Sequence, residues 1–388
     1  MRIFYYIQFF TSLSFYRSLR LLFYFTSHNR TDVFYYYPQH FNTKSEYPLS
    51  LSPLIKSTEN NRLSFLVIEE PNIFVRESRS KKAVPIDFIW ILVLFLRKFY
   101  RGNDYNLIDV KIGKLLSKVL LINRDVKNII TVSQSFQSIF RGMFPNANLY
   151  DYQHGLISSK YYGYINGNSI AQHITNNQSN VLLYGQGFKN KLLNIRGGEY
   201  FQNHSFVIGS IYEEYKKPRE SFNGNVLFTL QFTESHSYEF NKFLLNKTIE
   251  LFEKIKSSKL NLTIYLKSHP RFDKNVDTKM LYEYNFVKCA PENLKDCFKI
   301  CNLHITEYSS VLFDSITEGV PTLLTAFSEE MNIYEREYSF TSCKLSLIDN
   351  FNKINNDNFY KKIIDEQVKW SKELYQPFDE KYFIDLIK

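Results

Sequence analysis

Twice along this chain, short apolar runs alternate with longer amphipathic ones, and this alternation constrains the fold more than any other feature. Residues 128–132 (NIITV), 147–153, 181–184 and 205–208 read as strands, with helices expected over 135–144 and 188–195. A polar stretch without apolar period follows at 212–224. The rhythm then restarts, with strands at 225–230, 262–266, 286–287, 303–306 and 321–326 and helices at 238–257, 293–301 and 311–318. Parallel strands cannot be joined by a tight turn. Each connection must cross over, and the crossover helix covers the sheet. The expected fold class is therefore α/β, with two domains of parallel sheet: 1–211, a link at 212–224, and 225–388. The segment 358–388 reads as mostly helical, and its last helices could pack back on the first domain.

The first 120 residues are less regular. Residues 33–37 and 63–68 look like strands, 60–62 like a turn, 76–82 (RESRSKK) like a basic loop, and 85–100 and 110–122 like helices. The formal charge is +9, and residues 1–101 hold 14 Lys or Arg against 7 Asp or Glu. That excess suits nucleic acid, an anionic membrane face or an anionic substrate. No nucleic-acid-binding motif accompanies it, so nucleic acid is not an expected partner. Four cysteines, Cys289, Cys297, Cys301 and Cys343, lack a matching pair for a zinc site. They read as buried thiols of a reducing compartment. Residues 1–25 lack the plan of a signal peptide. The run 88–96 (FIWILVLFL) is shorter than the roughly 20 residues a membrane span needs, and reads as a buried helix. The expectation is a cytoplasmic protein, soluble or peripheral on the inner face of the plasma membrane.

Ligands of open parallel sheets bind beyond the carboxyl ends of the strands. Three polar clusters fall there: Gln153-His154-Gly155, Lys267-Ser268-His269-Pro270, and Glu307-Tyr308-Ser309-Ser310. Ser309 and Ser310 precede a short helix stopped by Gly319 and Pro321, so hydroxyls and helix N–H groups converge as in an anion site. Asp314, one turn in, could reach a ribose. Taken singly, each cluster has a plainer reading: a serine cap, a loop histidine before proline, an exposed carboxylate at Asp151. Taken together, His269 could donate to a phosphate and His154 could act as general base, with Asp151 as fallback base or as the group orienting His154. Gly155 would allow a tight turn and close approach of substrate.

The order and spacing of these clusters resemble the GT-B glycosyltransferases that build bacterial surface polymers. The nearest pattern is the branch of CDP-glycerol glycerophosphotransferases, sialyltransferases and Kdo transferases. Their Trp-His-Gly, His-Pro and Thr-Asp-Tyr-Ser-Ser motifs with a following Phe-Asp correspond to Gln153-His154-Gly155, His269-Pro270, and Thr306-Glu307-Tyr308-Ser309-Ser310 with Phe313-Asp314. The resemblance runs from about 128 to 326. It implies two Rossmann-like domains facing across a cleft. It also implies catalytic roles for His154 and His269, beside Asp151 from the reading above, and a donor site of Thr229, Gln231, His269, Pro270, Thr306, Glu307, Ser309, Ser310 and Asp314. Gln153 and Gly155 would lie on the acceptor side. Glu307 in place of Asp and Gln153 in place of Trp depart from the glycerophosphotransferase pattern and favour a sugar donor.

No Asp-x-Asp occurs, so the charge on a departing nucleotide would fall to histidine, hydroxyl and N–H groups, with no metal or other cofactor. The expected function is metal-independent transfer of a nucleotide-activated sugar, a CMP-sugar first, onto a capsule, lipopolysaccharide or other surface glycan, with a free or lipid-linked glycan as acceptor. The alternatives are transfer of glycerol or ribitol phosphate from a CDP-alditol, as in teichoic-acid synthesis, epimerisation of a sugar nucleotide, and a non-catalytic scaffold on the same fold.

Overall fold

A computed structural model describes residues 7–42, 44–71, 80–100, 102–134, 136–159, 163–210, 215–258, 260–328, 337–338 and 346–388. The chain divides into two compact units, one of residues 1–211 with 376–388, the other of 212–375.

In the first unit the sheet strands are β1 (Arg30–Tyr37), β2 (Phe65–Glu69), β3 (Val84–Pro85), β4 (Asp125–Val132), β5 (Asn148–Tyr152), β8 (Ser179–Leu183) and β9 (Ser205–Val207). Between β5 and β8, β6 (Ile165–Asn166) and β7 (Ser169–Ile170) form a small antiparallel hairpin. The sheet is parallel throughout, in the order β3-β2-β1-β4-β5-β8-β9. Strand order reverses between β1 and β4, the mark of a doubly wound fold. The central strand β1 is buried continuously from Val33 to Tyr37, as expected where helices cover both faces. Its tyrosines stay apolar in body because each hydroxyl finds an acceptor: Tyr35 donates to the Leu54 carbonyl (3.2 Å), Tyr36 to Glu70 (3.0 Å) and Tyr37 to Glu69 (2.9 Å).

Helix Tyr105–Val119 crosses helix Gln137–Met143 at Gly113 and Gly142. A Cβ on Gly113 would stand 2.2 Å from the Ile139 carbonyl oxygen, and one on Gly142 2.2 Å from that of Val110. Only glycine allows this approach. The first of these helices begins five residues before its expected start, because the Asp104 side chain accepts from the Asn106 and Leu107 N–H groups.

Helix Ser52–Asn60 was not legible in the sequence; its apolar face is only Leu54 and Ile55. The apolar run forms helix Asp87–Arg97, but among its apolar side chains only Ile89 and Val93 are fully buried, and Phe95 is 55% exposed. It is a half-buried helix rather than the buried one expected. Residues 76–79 of the basic loop, and Cys343, lie outside the described residues.

In the second unit β10 (Asn225–Thr229), β11 (Thr263–Lys267), β12 (Val287–Cys289), β13 (Leu303–Thr306) and β14 (Thr322–Leu324) form a parallel sheet in the order β12-β11-β10-β13-β14. Strand order reverses between β10 and β13, whose last paired residues are Thr229 and Thr306. The core joins Phe228, Leu230, Phe252, Ile264, Leu266 and Ile305 from sheet and helix Tyr238–Ser258.

Residues 212–224, expected as a link, group with this unit. The Lys216 N–H donates to the Thr317 carbonyl (2.8 Å) and the Arg219 N–H to that of Gly319 (2.9 Å). Residues 376–388, numbered with the second domain but expected to be able to pack back, group with the first. The Gln376 N–H donates to Tyr184 (2.9 Å), and the Asn128 amide reaches the Ile387 carbonyl (2.7 Å). Cys297 and Cys301 are buried thiols, while Cys289 is exposed.

Candidate functional site

The candidate residues of the second unit gather where its strand order reverses. β13 ends on Thr306, whose hydroxyl donates to the Thr229 carbonyl (3.3 Å) and accepts from the Ser309 N–H (3.2 Å). This fixes the turn that carries Tyr308, Ser309 and Ser310. The Ser309 hydroxyl accepts from the Val311 N–H (3.3 Å) at the start of helix Val311–Thr317, whose N-cap is Ser310. Ser310 makes no such side-chain bond and is exposed. Of the two serines, Ser309 therefore builds the turn and Ser310 is open to a ligand. Asp314 follows on the helix, half-buried. Burial, with Glu318 nearby, pushes its carboxyl up to about 6 against the pull of its own N–H and Lys295.

His269 lies in the loop after β11, next to the exposed Pro270. Its Nδ1 accepts from the Arg271 N–H at 3.0 Å, so the neutral ring carries its proton on Nε2 and is a donor there. Burial, then the charges of Arg271 and His236, lower its pKa. Three groups able to face an anion, His269, Ser310 and the N–H groups of the turn, thus share one sheet edge.

Other nominated residues belong to the framework. The Thr229 hydroxyl bonds to Nε2 of His304 (3.0 Å), whose Nδ1 bonds to the Thr322 hydroxyl (2.9 Å). His304 is fully buried, and burial alone lowers its pKa to about 3. The Thr229 hydroxyl is thus engaged with the framework. Gln231 is buried, its amide over the Leu230 carbonyl. Glu307 is 3% exposed, and its two oxygens accept from the N–H groups of Phe327 (3.0 Å) and Ser328 (2.9 Å) and from the hydroxyls of Thr325 and Ser328. It ties the turn to residues 325–328. A carboxylate so engaged would repel a phosphate, which corrects its expected place among donor-binding residues.

The first unit carries His154 at the end of β5. Its ring stands edge-on to Phe41, centroids 5.8 Å apart, and burial lowers its pKa to about 4, so it is neutral at physiological pH. Asp151 is fully buried. It accepts from Tyr164 (2.6 Å), Thr131 (2.8 Å), and the Gln134 N–H (2.8 Å) and side-chain amide (2.9 Å). Burial raises its pKa against these donors. His154 is not among its partners, so Asp151 anchors β4 to β5 and is neither a solvent-facing base nor the group orienting His154. Gln153 is equally structural: it accepts from the Tyr184 N–H (3.0 Å) and donates to the Gly155 carbonyl (2.7 Å). Gly155 does not adopt the left-handed backbone that a tight turn would need. A Cβ there would meet open space.

Sequence reasoning missed His236, Arg271 and His304 as site or near-site residues. The partners of His304, Thr229 and Thr322, come from two other strands, and His236 meets Tyr308 from the turn after β13. Among the described residues, no group of three or more His, Cys, Asp or Glu is arranged to hold a metal ion.

Residues 212–383 match the family described as CDP-Glycerol:Poly(glycerophosphate) glycerophosphotransferase. No curated protein matches the chain in sequence. Solved structures do match in fold. Staphylococcus aureus MnaA bound to UDP aligns at 11% identity and TM-score 0.54 over 92% of this chain and 95% of its own. A variant of the wall teichoic acid polymerase TagF aligns at 11% and 0.54 over 96% of each chain. A putative UDP-N-acetylglucosamine 2-epimerase of Listeria monocytogenes aligns at 12% and 0.52 over 92% and 95%. The fold is of GT-B type, and the family match covers residues 212–383, a little under half of the chain. It is the second unit, with His269, Ser309, Ser310 and Asp314, that carries the glycerophosphotransferase pattern.

Proposed function

We propose that the chain transfers an alditol phosphate from a CDP-linked donor to a hydroxyl of a surface polymer, without metal. The observation that carries this reading is the family match over 212–383, which encloses His269, Ser310 and Asp314. It reverses the order of donors expected from sequence. In the proposed step, the acceptor oxygen attacks the distal phosphorus and a new P–O bond forms. The bond to the bridging oxygen breaks and CMP leaves. The acceptor proton passes to His154, whose ring burial keeps neutral. His269, through Nε2–H, and Ser310 take the charge on the departing phosphate, and Asp314 holds the ribose.

A second reading, transfer of a sugar from a CMP-sugar, is favoured by Gln153 and Glu307, the two departures from the glycerophosphotransferase motifs. The polymer acceptor would be presented at a membrane, where exposed apolar side chains of residues 7–23 and the basic first quarter of the chain would hold the protein at the surface.

Calorimetric titration with CMP, CDP, UDP and GDP, without metal and then with Mg²⁺, tests the donor class. The expected result is metal-independent binding of CDP, weakened by roughly tenfold or more in His269→Ala and Ser310→Ala. Preference for CMP would support the sugar donor. Binding only with Mg²⁺ would overturn the metal-free reading.

A further inference from the structure

His236 has no task in the transfer described above, yet both of its ring nitrogens are held by neighbouring side chains. Asn241, fully buried, is oriented by its neighbours. Its Nδ2 donates to the Thr233 carbonyl (3.0 Å) and to Asp273 Oδ2 (2.9 Å), so its Oδ1 faces the Thr233 N–H (3.2 Å) and His236 Nδ1 (3.3 Å). An acceptor in that position requires a donor opposite, so Nδ1 carries the proton of neutral His236 and Nε2 is bare. The Tyr308 hydroxyl lies 2.6 Å from Nε2 and 3.2 Å from Nδ1, and it donates to Nε2. Phe240 packs edge-on against the imidazole, centroids 5.0 Å apart. A chain of side chains thus runs from Asp273 through Asn241 and His236 to Tyr308, the residue immediately before Ser309 and Ser310.

We propose that His236 is a positioning residue that takes up a proton when a nucleoside diphosphate enters the donor site, and so turns the Tyr308 hydroxyl from its imidazole to the phosphate. The proposal rests on the donor-site reading above. The proton comes from solvent and goes to Nε2, which then donates to the Tyr308 oxygen. The Tyr308 O–H, released from Nε2, donates to a phosphoryl oxygen, and no covalent bond other than N–H changes.

The surrounding charges favour such coupling. The cationic groups near His236 are His269 and Arg271, across the loop after β11; the mutual effect of His236 and His269 shows in the lowered pKa of the latter, after burial and Arg271. Asp273 acts only through Asn241, Glu307 is turned to residues 325–328, and Glu234 and Glu239 are exposed.

The test is calorimetric titration of CDP in two buffers of different ionisation enthalpy, which counts the protons taken up. At about pH 7 the wild-type protein is expected to take up a substantial fraction of one proton per CDP. His236→Asn should take up far less and bind CDP roughly tenfold more weakly at about pH 6.5, with little change at about pH 8.5. Tyr308→Phe, which leaves the imidazole in place, should lose affinity in the same way at the lower pH. His269→Asn, as comparison, should keep the proton uptake. Wild-type uptake in His236→Asn, or wild-type affinity in Tyr308→Phe at the lower pH, would overturn the proposal. Failure of the wild-type protein to bind CDP, UDP or GDP at any pH would overturn the donor-site reading on which it stands.

Discussion

Asp314 occupies a position where a charge is costly to the fold. Burial raises its pKa to about 6, so the folded chain keeps a proton that the unfolded chain releases at ordinary carboxylate pH. The sign follows from that difference: the contribution to stability is greatest at low pH and is lost as pH rises through about 6. Asp314→Asn removes the cost. At about pH 8 the variant is expected to be more stable by about 1–2 kcal/mol and, if the ribose is its partner, to bind CDP more weakly. Urea unfolding at pH 5 and pH 8, with CDP titration alongside, checks both. A variant less stable at pH 8, or binding unchanged, would contradict this account of Asp314. The same scale shows where sequence stops. His269 and His154 stand beside a proline or a glycine at strand ends and are visible there. His304 hydrogen-bonds Thr229 and Thr322 from two neighbouring strands. Its role exists only once β10, β13 and β14 are assembled. Glu307 and Asp151 were legible as polar residues at strand ends, but not as groups whose acceptors are already engaged.

At the scale of elements, the parallel strands were readable because their apolar runs are short and regularly spaced, and β10, β11 and β13 lie within a residue or two of expectation. Helices Ser52–Asn60 and Leu347–Ile354 were not read. The first is largely polar, and the second is brief and isolated from the strand rhythm. The N-terminal helices Leu13–Ser18 and Arg20–Thr26 behave differently from the rest. They bury Leu21 and Phe25, yet leave Leu13 76%, Tyr16 58% and Phe23 81% exposed. Ile7 and Phe10 continue the exposed strip at a spacing of three. Apolar residues on the outer face of a surface helix are poorly explained by packing within the chain, and a bilayer interface suits them. The protein is expected to bind vesicles containing anionic phospholipid, more weakly as salt rises. A Leu13→Glu/Phe23→Glu variant should bind them at least about tenfold less while still binding CDP. Flotation of that variant with vesicles to the same extent as the wild-type protein would contradict the membrane reading.

For the whole molecule, the two sheets repeat one plan: parallel strands, an order that reverses once, and polar turns beyond the carboxyl ends. That plan follows from the alternation of apolar runs, which is why two parallel α/β domains were accessible before any coordinates, while the GT-B resemblance came from the motifs at the strand ends. Where the units divide was less accessible. Residues 215–224 lack apolar period, yet backbone bonds hold them to Thr317 and Gly319, and residues 376–388 return to the first unit through contacts of Gln376 and Ile387. Among the described residues, no helix is long and apolar enough to cross a membrane. The identity of the donor is the central claim, and the product decides it. The purified protein would be incubated with a hydroxyl-bearing teichoic-type acceptor and either CDP-glycerol or a CMP-sugar, without metal, and the product mass measured. The account predicts a mass increase of one glycerol phosphate per transfer and release of CMP, both lost in His154→Ala. Addition of a sugar from the CMP-sugar with no reaction of CDP-glycerol would contradict it.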